Sequence, residues 1–401
     1  MRTLGGLYLA QGIPTYLLLV ALPPIMRDSG ASRTVIGLFS LLMLPVVLKF
    51  LIGPVVDKWS PIPSFGHRKG WIVPTQLLVS VTIAAMAFVT PDNSSVLFVL
   101  CLFVAIASSV QDVAADGYAV RSLDDKTRAT GNAIQAGAGA LGVLIGGTVS
   151  LVVFHHAGWH VMIALVTVLS LLPLLAIIAM QDTPATFIAN EIVRSPRLSS
   201  FFHLPNALLI LGFALTYRMS EGLVRGIDSI YLKDIGVPTD WIGFLSGGSA
   251  ATAGILGVIL AAFIIKKFGL TLVLVLLGGI RSLCFLTFSL NAFTLWPGTT
   301  IAMSASMFHI LIRYMEMVAL YSFFMKSSSQ TQPGTDFTIL ACAELIVYVA
   351  GASVAGYFAD IFGYEMLFST ATIVSILGVC VAIWFLRRIH EKPQKTFAVI
   401  I

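Results

Sequence analysis

The chain has 401 residues, of which 57% are hydrophobic and only 11% charged, with a mean hydropathy of +0.94 and a formal net charge of +5. A water-soluble domain does not tolerate that balance, so the bilayer is the solvent, and the positive charge is a topology signal rather than a nucleic-acid footprint. Four isolated cysteines, Cys101, Cys284, Cys342 and Cys380, offer neither a disulfide framework nor a paired metal site, and packing is their expected role.

Apolar stretches of the ~20 residues needed to cross the hydrocarbon follow one another at 4–26, 34–56, 71–90, 96–120, 129–154, 159–180, 205–230, 239–265, 269–290, 299–325, 336–359 and 365–387. The first is too long for a signal peptide, and no small-residue cleavage site follows it. An all-α membrane protein of twelve helices is therefore expected, with one six-helix bundle over 1–180, a linker over 181–204, a second bundle over 205–390 and a polar tail over 391–401. The two bundles repeat one plan. Arg27-Asp28-Ser29-Gly30 before Ile36-Gly37 is echoed by Lys233-Asp234-Ile235-Gly236 before Ile242-Gly243 at an offset of 206, and Gly158-Trp159 is echoed by Gly363-Tyr364 at 205. Halves duplicated in the same order describe a transporter whose substrate path lies between them. Sixteen Lys and Arg residues fall in one set of connections and three, Arg27, Arg33 and Lys233, in the other, which puts both termini and the linker in the cytoplasm.

Small residues crowd the fifth span (Gly137, Gly139, Gly142, Gly146, Gly147) and recur in the eleventh (Gly351, Ala352, Ala355, Gly356), where close helix packing is expected. Between the second and third spans runs Gly53-Pro54-Val55-Val56-Asp57-Lys58, then His67-Arg68-Lys69-Gly70. This resembles the loop of the major facilitator superfamily in which a glycine lets helices touch, an aspartate sits at the helix end and a basic cluster follows. An acid at that boundary can bond a neighbouring helix and pair with a cation, forming a latch of Asp57, Arg68 and Lys69. The stretch between Lys58 and His67 is longer than in the superfamily's usual pattern, and the second half carries Lys266 where Asp57 would be. Four further stretches, LYLAQGIPTY from Leu7, LPVVLKFLIGPVVD from Leu44, GWIVPTQ from Gly70 and VQDVAADGYAVR from Val110, look like the branch that holds muropeptide permeases, acetyl-CoA transporters and ferric-siderophore permeases. Ala21-Leu22-Pro23 and Gly131-Asn132-Ala133-Ile134-Gln135 look closest to siderophore permeases of the rhizobactin and pyochelin type. The resemblance implies a bacterial inner-membrane importer, working as a monomer, with a siderophore-iron complex as the leading solute and a muropeptide as the alternative.

An ionisable group inside a span is costly and usually faces a partner or a water-filled path. Arg218, Glu221, Arg225 and Asp228 recur on one face of the seventh span, and His309, Arg313 and Glu316 on one face of the tenth. Glu344 and Tyr348 share a face of the eleventh, while Arg281 lies mid-ninth. On one reading, Arg218, Arg225 and Arg313, with Tyr348, bind an anionic substrate while Glu221, Glu316 or Glu344 carries a coupling proton. On the other, Arg218 with Glu221 and Arg313 with Glu316 simply neutralise each other. Gln11, beside Gly12 and Pro14, aligns with Tyr217 at the offset of 206 and is expected to face a Tyr217–Arg218 pair across a cavity. Asp112 and Asp116 are one turn apart in the fourth span, with Arg121 beyond and Lys49 in the second, and are expected at a cytoplasmic gate, pairing with the basic loop or sharing a proton.

His155, His156 and His160 lack a supporting carboxylate or cysteine and read as surface histidines, so neither a metal site nor a cofactor is expected. No GxxxxGK[ST] loop suggests direct use of ATP, and proton coupling through the buried carboxylates is the expected energy source, with facilitated transport left open. A membrane-embedded enzyme or sensor is the competing class, and it would need a nucleophile and base cluster that the chain does not display.

Overall fold

The computed structural model describes residues 1–178, 180–182, 196–246 and 248–391. Residues 183–195 of the expected linker, including Arg194, and the tail from 392 with Lys392 and Lys395 lie outside the described residues. All regular structure among the described residues is helical, which pairs the backbone groups within each segment where no water can satisfy them.

Eight helical stretches are long and apolar enough to cross a membrane. Five of them are single spans: α1 (Arg2–Asp28), α3 (Lys69–Phe88), α4 (Ser94–Ser122), α7 (Ala207–Asp234) and α9 (Leu270–Ala292); α10 (Thr299–Ser327) is a sixth. The other two are double-length, Arg128–Ile177 and Pro333–Ile389. Each folds back at one glycine with positive φ, Gly158 (φ 80°) and Gly363 (φ 79°), giving α5 (128–157), α6 (159–177), α11 (333–362) and α12 (364–389). A side chain with a Cβ would strain both bends. With α2 (33–58) and α8 (239–246 and 248–268) the spans among the described residues number twelve. Gly30 (φ 94°) and Gly236 (φ 89°) likewise end equivalent turns. The offsets seen in the sequence thus fall on matching backbone bends in the two halves.

The glycine-rich stripes are where backbones touch. A Cβ on Gly142 of α5 would lie 2.7 Å from the Cα of Gly12 in α1, and one on Gly146 would lie 2.2 Å from the Ile13 carbonyl oxygen. In the second half, a Cβ on Gly222 of α7 would lie 2.1 Å from the Tyr348 carbonyl oxygen of α11, next to Gly351. Lipid gives apolar side chains no reason to leave it, so contact this close is what holds such helices together. Outward faces carry exposed Val81, Leu208, Leu256 and Phe263, a surface matched to acyl chains.

The apolar cores show how the halves meet. One cluster is common to both, joining Tyr8, Val120 and Ala136 to Val258, Met315, Phe324 and Leu340 near the end that carries the basic loops. Toward the opposite end each half has its own cluster, around Ile25, Met86 and Trp159 in the first and around Tyr231, Phe288 and Phe368 in the second. The halves are joined at the basic-loop end and separate at the other.

Candidate functional site

Between the halves lies a cavity of about 260 Å³. Its first wall is built by Tyr8, Gln11 and Thr15 of α1, Met43 of α2, Asp112 of α4 and Gln135 of α5; Arg313, Tyr314, Met317 and Tyr321 of α10 form the other. The side-chain nitrogen of Gln11 and the side-chain oxygen of Gln135 are buried there without hydrogen-bond partners. Buried polar atoms are normally satisfied, so an unpaired donor and acceptor at a cavity suit a polar solute.

Under the first wall sits a charge cluster. The Lys49 ammonium pairs with Asp112 and lies 3.7 Å from Asp116. Asp116 also accepts from the Tyr8 hydroxyl at 3.1 Å and from the Gln135 amide at 3.3 Å. Its side chain is 1% exposed, against 22% for Asp112. The expected pairing of these acids with the basic loop is not made. Lys49 is nearer because α2 breaks into a tight 3-10 turn at Lys49–Leu51, between Pro45 and Pro54, that brings the ammonium against α4. Gln111 turns instead into the first half, donating to Gln76 at 2.7 Å.

The second wall is backed by a larger network. Arg218 pairs with Glu344 at 2.8 Å and lies 3.4 Å from Glu221 and 3.6 Å from Glu316. Arg281 holds Glu316 at 2.8 Å and donates to the Tyr217 carbonyl at 2.7 Å. His309 meets Glu221 at 3.0 Å, and Arg313 lies 3.4 Å from Glu221. Three guanidiniums therefore face three carboxylates. The pairing of Arg313 with Glu316, expected from their spacing, is replaced. Glu316 points to α9 and Arg281, whereas Arg313 points to the cavity, its side chain 27% exposed with the guanidinium 5.7 Å from the Tyr348 ring centre.

Several expected substrate groups therefore sit behind the cavity wall. Tyr217 is 1% exposed, donates to the Leu274 carbonyl at 2.7 Å and to Glu316 at 3.2 Å, and stacks on Phe213. Arg218 is 4% exposed. Gln11 thus shares its cavity with α10 and not with a Tyr217–Arg218 pair. Arg225, 21% exposed, pairs with Asp228 at 2.7 Å. Arg281 was visible in the sequence only as an isolated charge; its partners lie on three other helices, and no spacing along the chain points to them.

At the basic-loop end Asp57 bridges the halves. It pairs with Arg68 and accepts from the backbone N–H of Gly334 at 3.2 Å, the N–H of Thr335 at 2.6 Å and the Thr335 hydroxyl at 2.6 Å. Those N–H groups open α11, where a helix leaves donors unpaired and its dipole favours an anion. Two glycines make room: a Cβ on Gly53 would lie 2.9 Å from the Thr335 Cα, and one on Gly117 would lie 2.6 Å from the Arg68 guanidinium carbon. Arg121 donates to the Gln330 carbonyl at 2.7 Å. Lys69 enters through its backbone N–H, which donates to Asp182 at 2.8 Å. His67 is buried with a ring nitrogen 3.0 Å from the Val56 carbonyl oxygen, and burial, reinforced by the neighbouring Arg68 charge, pushes it down to about 4.

The family model of the Major Facilitator Superfamily matches residues 4–342. The chain belongs to that superfamily. Its solved likenesses agree in fold: the outward-facing crystal structure of a bacterial homologue of the iron transporter ferroportin aligns over 96% of this chain and 98% of that one, with TM-score 0.69 and 15% identity. The transporter FucP in its outward conformation aligns over 96% and 97%, with TM-score 0.70 and 13% identity. Among relatives in sequence, the anhydromuropeptide permease of Escherichia coli (strain K12) is 27% identical over 92% of this chain and 77% of its own length. A putative transporter, AmpG 2, of Rickettsia bellii is 24% identical over 86% and 87%. This superfamily member is a multi-pass membrane transporter and not an enzyme. Of the solutes that the sequence resemblance offered, these relatives carry the muropeptide alternative, and the lean toward siderophore permeases finds no support in them.

Proposed function

We propose that this transporter imports a muropeptide, an anhydro-sugar bearing a short peptide, across the bacterial inner membrane. Two observations support it: the likeness to anhydromuropeptide permease along 92% of the chain, and a cavity that offers such a solute a cation and unpaired amide atoms. Arg313, steadied by Tyr348, faces a peptide carboxylate, and the unpaired atoms of Gln11 and Gln135 face hydroxyls and amides. The cavity of about 260 Å³ is smaller than the ~300–1,000 Å³ of pockets that enclose drug-sized ligands. A solute of this size is held with the halves further apart, or with only one of its units between the walls.

In this reading the bundles 1–180 and 205–390 rock against each other, both termini are cytoplasmic, and the Asp57 latch closes the cytoplasmic side while the periplasmic side admits solute. A proton moving inward drives accumulation. The test is uptake of a labelled anhydro-muropeptide, in parallel with radioactive iron carried by a siderophore, in cells with and without the protein. Dependence of the muropeptide alone is the expected result; dependence of chelated iron alone overturns the assignment. Arg313→Ala is expected to abolish muropeptide uptake while the protein stays inserted, and normal uptake by that variant removes Arg313 from the site.

A further inference from the structure

The carboxylates first expected to carry the coupling proton are Glu221, Glu316 and Glu344, yet each has its own guanidinium in the structure: Arg313, Arg281 and Arg218 respectively. Asp228 is likewise matched by Arg225. Asp336 has no such cation, but it is bonded by the Ser329 N–H and hydroxyl and by Gln332 at the start of α11, where a helix terminus favours a carboxylate. Against the cavity the balance fails at one place among the described residues. Asp112 and Asp116 share the single cation Lys49.

Tyr8 of α1 and Gln135 of α5 donate to Asp116, Lys49 of α2 lies between the two acids, and Tyr321 of α10 faces them across the cavity. Arg313 lines the same cavity but is engaged with Glu221, and Cys342 of α11 lies beside Lys49. One ammonium for two carboxylates leaves one negative charge in a site walled off from water on the Asp116 side, and a buried unmatched charge is costly. A proton removes that cost. The cavity-facing Asp112 gives the proton a way in and the buried Asp116 a place to be held.

We propose that the coupling proton of this transporter binds the Asp112–Asp116 pair in the first half, and that Lys49 reports it to the latch. Lys49 stands at the break in α2, two turns before Asp57, and the same helix touches α11 through Gly53 and through the Val46 carbonyl, to which the Cys342 thiol donates at 3.7 Å. Protonation neutralises one carboxylate and loosens Lys49 from α4, so the lower part of α2 can leave α11. The inference rests on the transport reading but assigns a site that reading leaves open.

Two measurements on the full chain in liposomes test it. Infrared difference spectra need no solute: the wild type shows a carboxylic-acid carbonyl band that disappears as the buffer is made more alkaline. Asp116→Asn or Asp112→Asn removes that band and Glu344→Gln keeps it. A band surviving both aspartate variants, or lost with Glu344→Gln, overturns the assignment. The second measurement is uptake of labelled anhydro-muropeptide under an inward pH step of about one unit, which with one coupled proton sustains about tenfold accumulation. Asp116→Asn, whose amide preserves the Tyr8 contact, reduces accumulation to about equal concentrations while still exchanging internal for external solute; accumulation undiminished in that variant refutes the proposal. No uptake by the wild type refutes the muropeptide assignment instead, and the infrared result then decides the proton site alone.

Discussion

Replacing Asp57 by alanine removes the carboxylate that bridges the two halves at the basic-loop end. Three hydrogen bonds cross between the halves from this one carboxylate, two at 2.6 Å and one at 3.2 Å. Bonds to a charged group contribute ~1.5–3 kcal/mol each, but they share one acceptor and one helix end, so their joint worth is roughly 3–5 kcal/mol. The guanidinium of Arg68, 2% exposed, is also left without its partner, and this adds in the same direction. At about 1.4 kcal/mol per decade, the opening equilibrium shifts roughly 100- to 3,000-fold. Cys342, 1% exposed between α2 and α11, reports the change, since a maleimide reaches it only when those helices part. In a variant whose only cysteine is Cys342, Asp57→Ala should speed labelling by about that factor where opening is fast relative to labelling. Cys101, inside the first half's own core and 0% exposed, should stay unlabelled in a matching variant. Unchanged labelling of Cys342 would refute the account of the latch, and equal labelling of both cysteines would mean that the protein had unfolded instead.

Other consequences can be checked singly. Arg281→Leu leaves the buried Glu316 only the longer 3.6 Å contact to Arg218 and should cost up to ~3–5 kcal/mol of stability, much of it restored by adding Glu316→Leu; thermal unfolding in detergent follows both. Gly142→Val drives a side chain into the α1 backbone at Gly12 and should cost ~1–3 kcal/mol or more, read as lost thermal stability, whereas Gly139→Val, with nothing within 4 Å of its Cβ position, should be tolerated. His67, neutral in the folded loop and held near 4 against an ordinary value near 6.5, favours the folded loop fully above about 6.5 and loses that contribution as the pH falls toward about 4. Acid should therefore speed Cys342 labelling over that window, and His67→Gln should flatten the dependence.

The apolar spans and the repeated plan are legible along the chain, as are Asp57 and Arg68 as candidates for a latch, because each is a property of neighbours in sequence. Hydrophobic length decides what crosses a bilayer, the repeated Gly158 and Gly363 decide where double spans bend, and Gly53 and Asp57 stand about one turn apart in one short helical segment. The sequence also showed which charges lie in the membrane, since such charges are rare enough to stand out. Which of them meet depends on how the helices pack. Spacing of three or four residues says that two side chains share a helix face, but not which neighbour that face touches. Arg313 and Glu316 are one turn apart yet take different partners, and Glu316 is matched by Arg281, 35 residues away on another helix. Lys49 and Asp112 lie 63 residues apart and meet because two prolines break α2 beside α4. In a low-dielectric interior the sum over such partners sets what a charge can do, so the role of each buried carboxylate became readable only once the helices were packed.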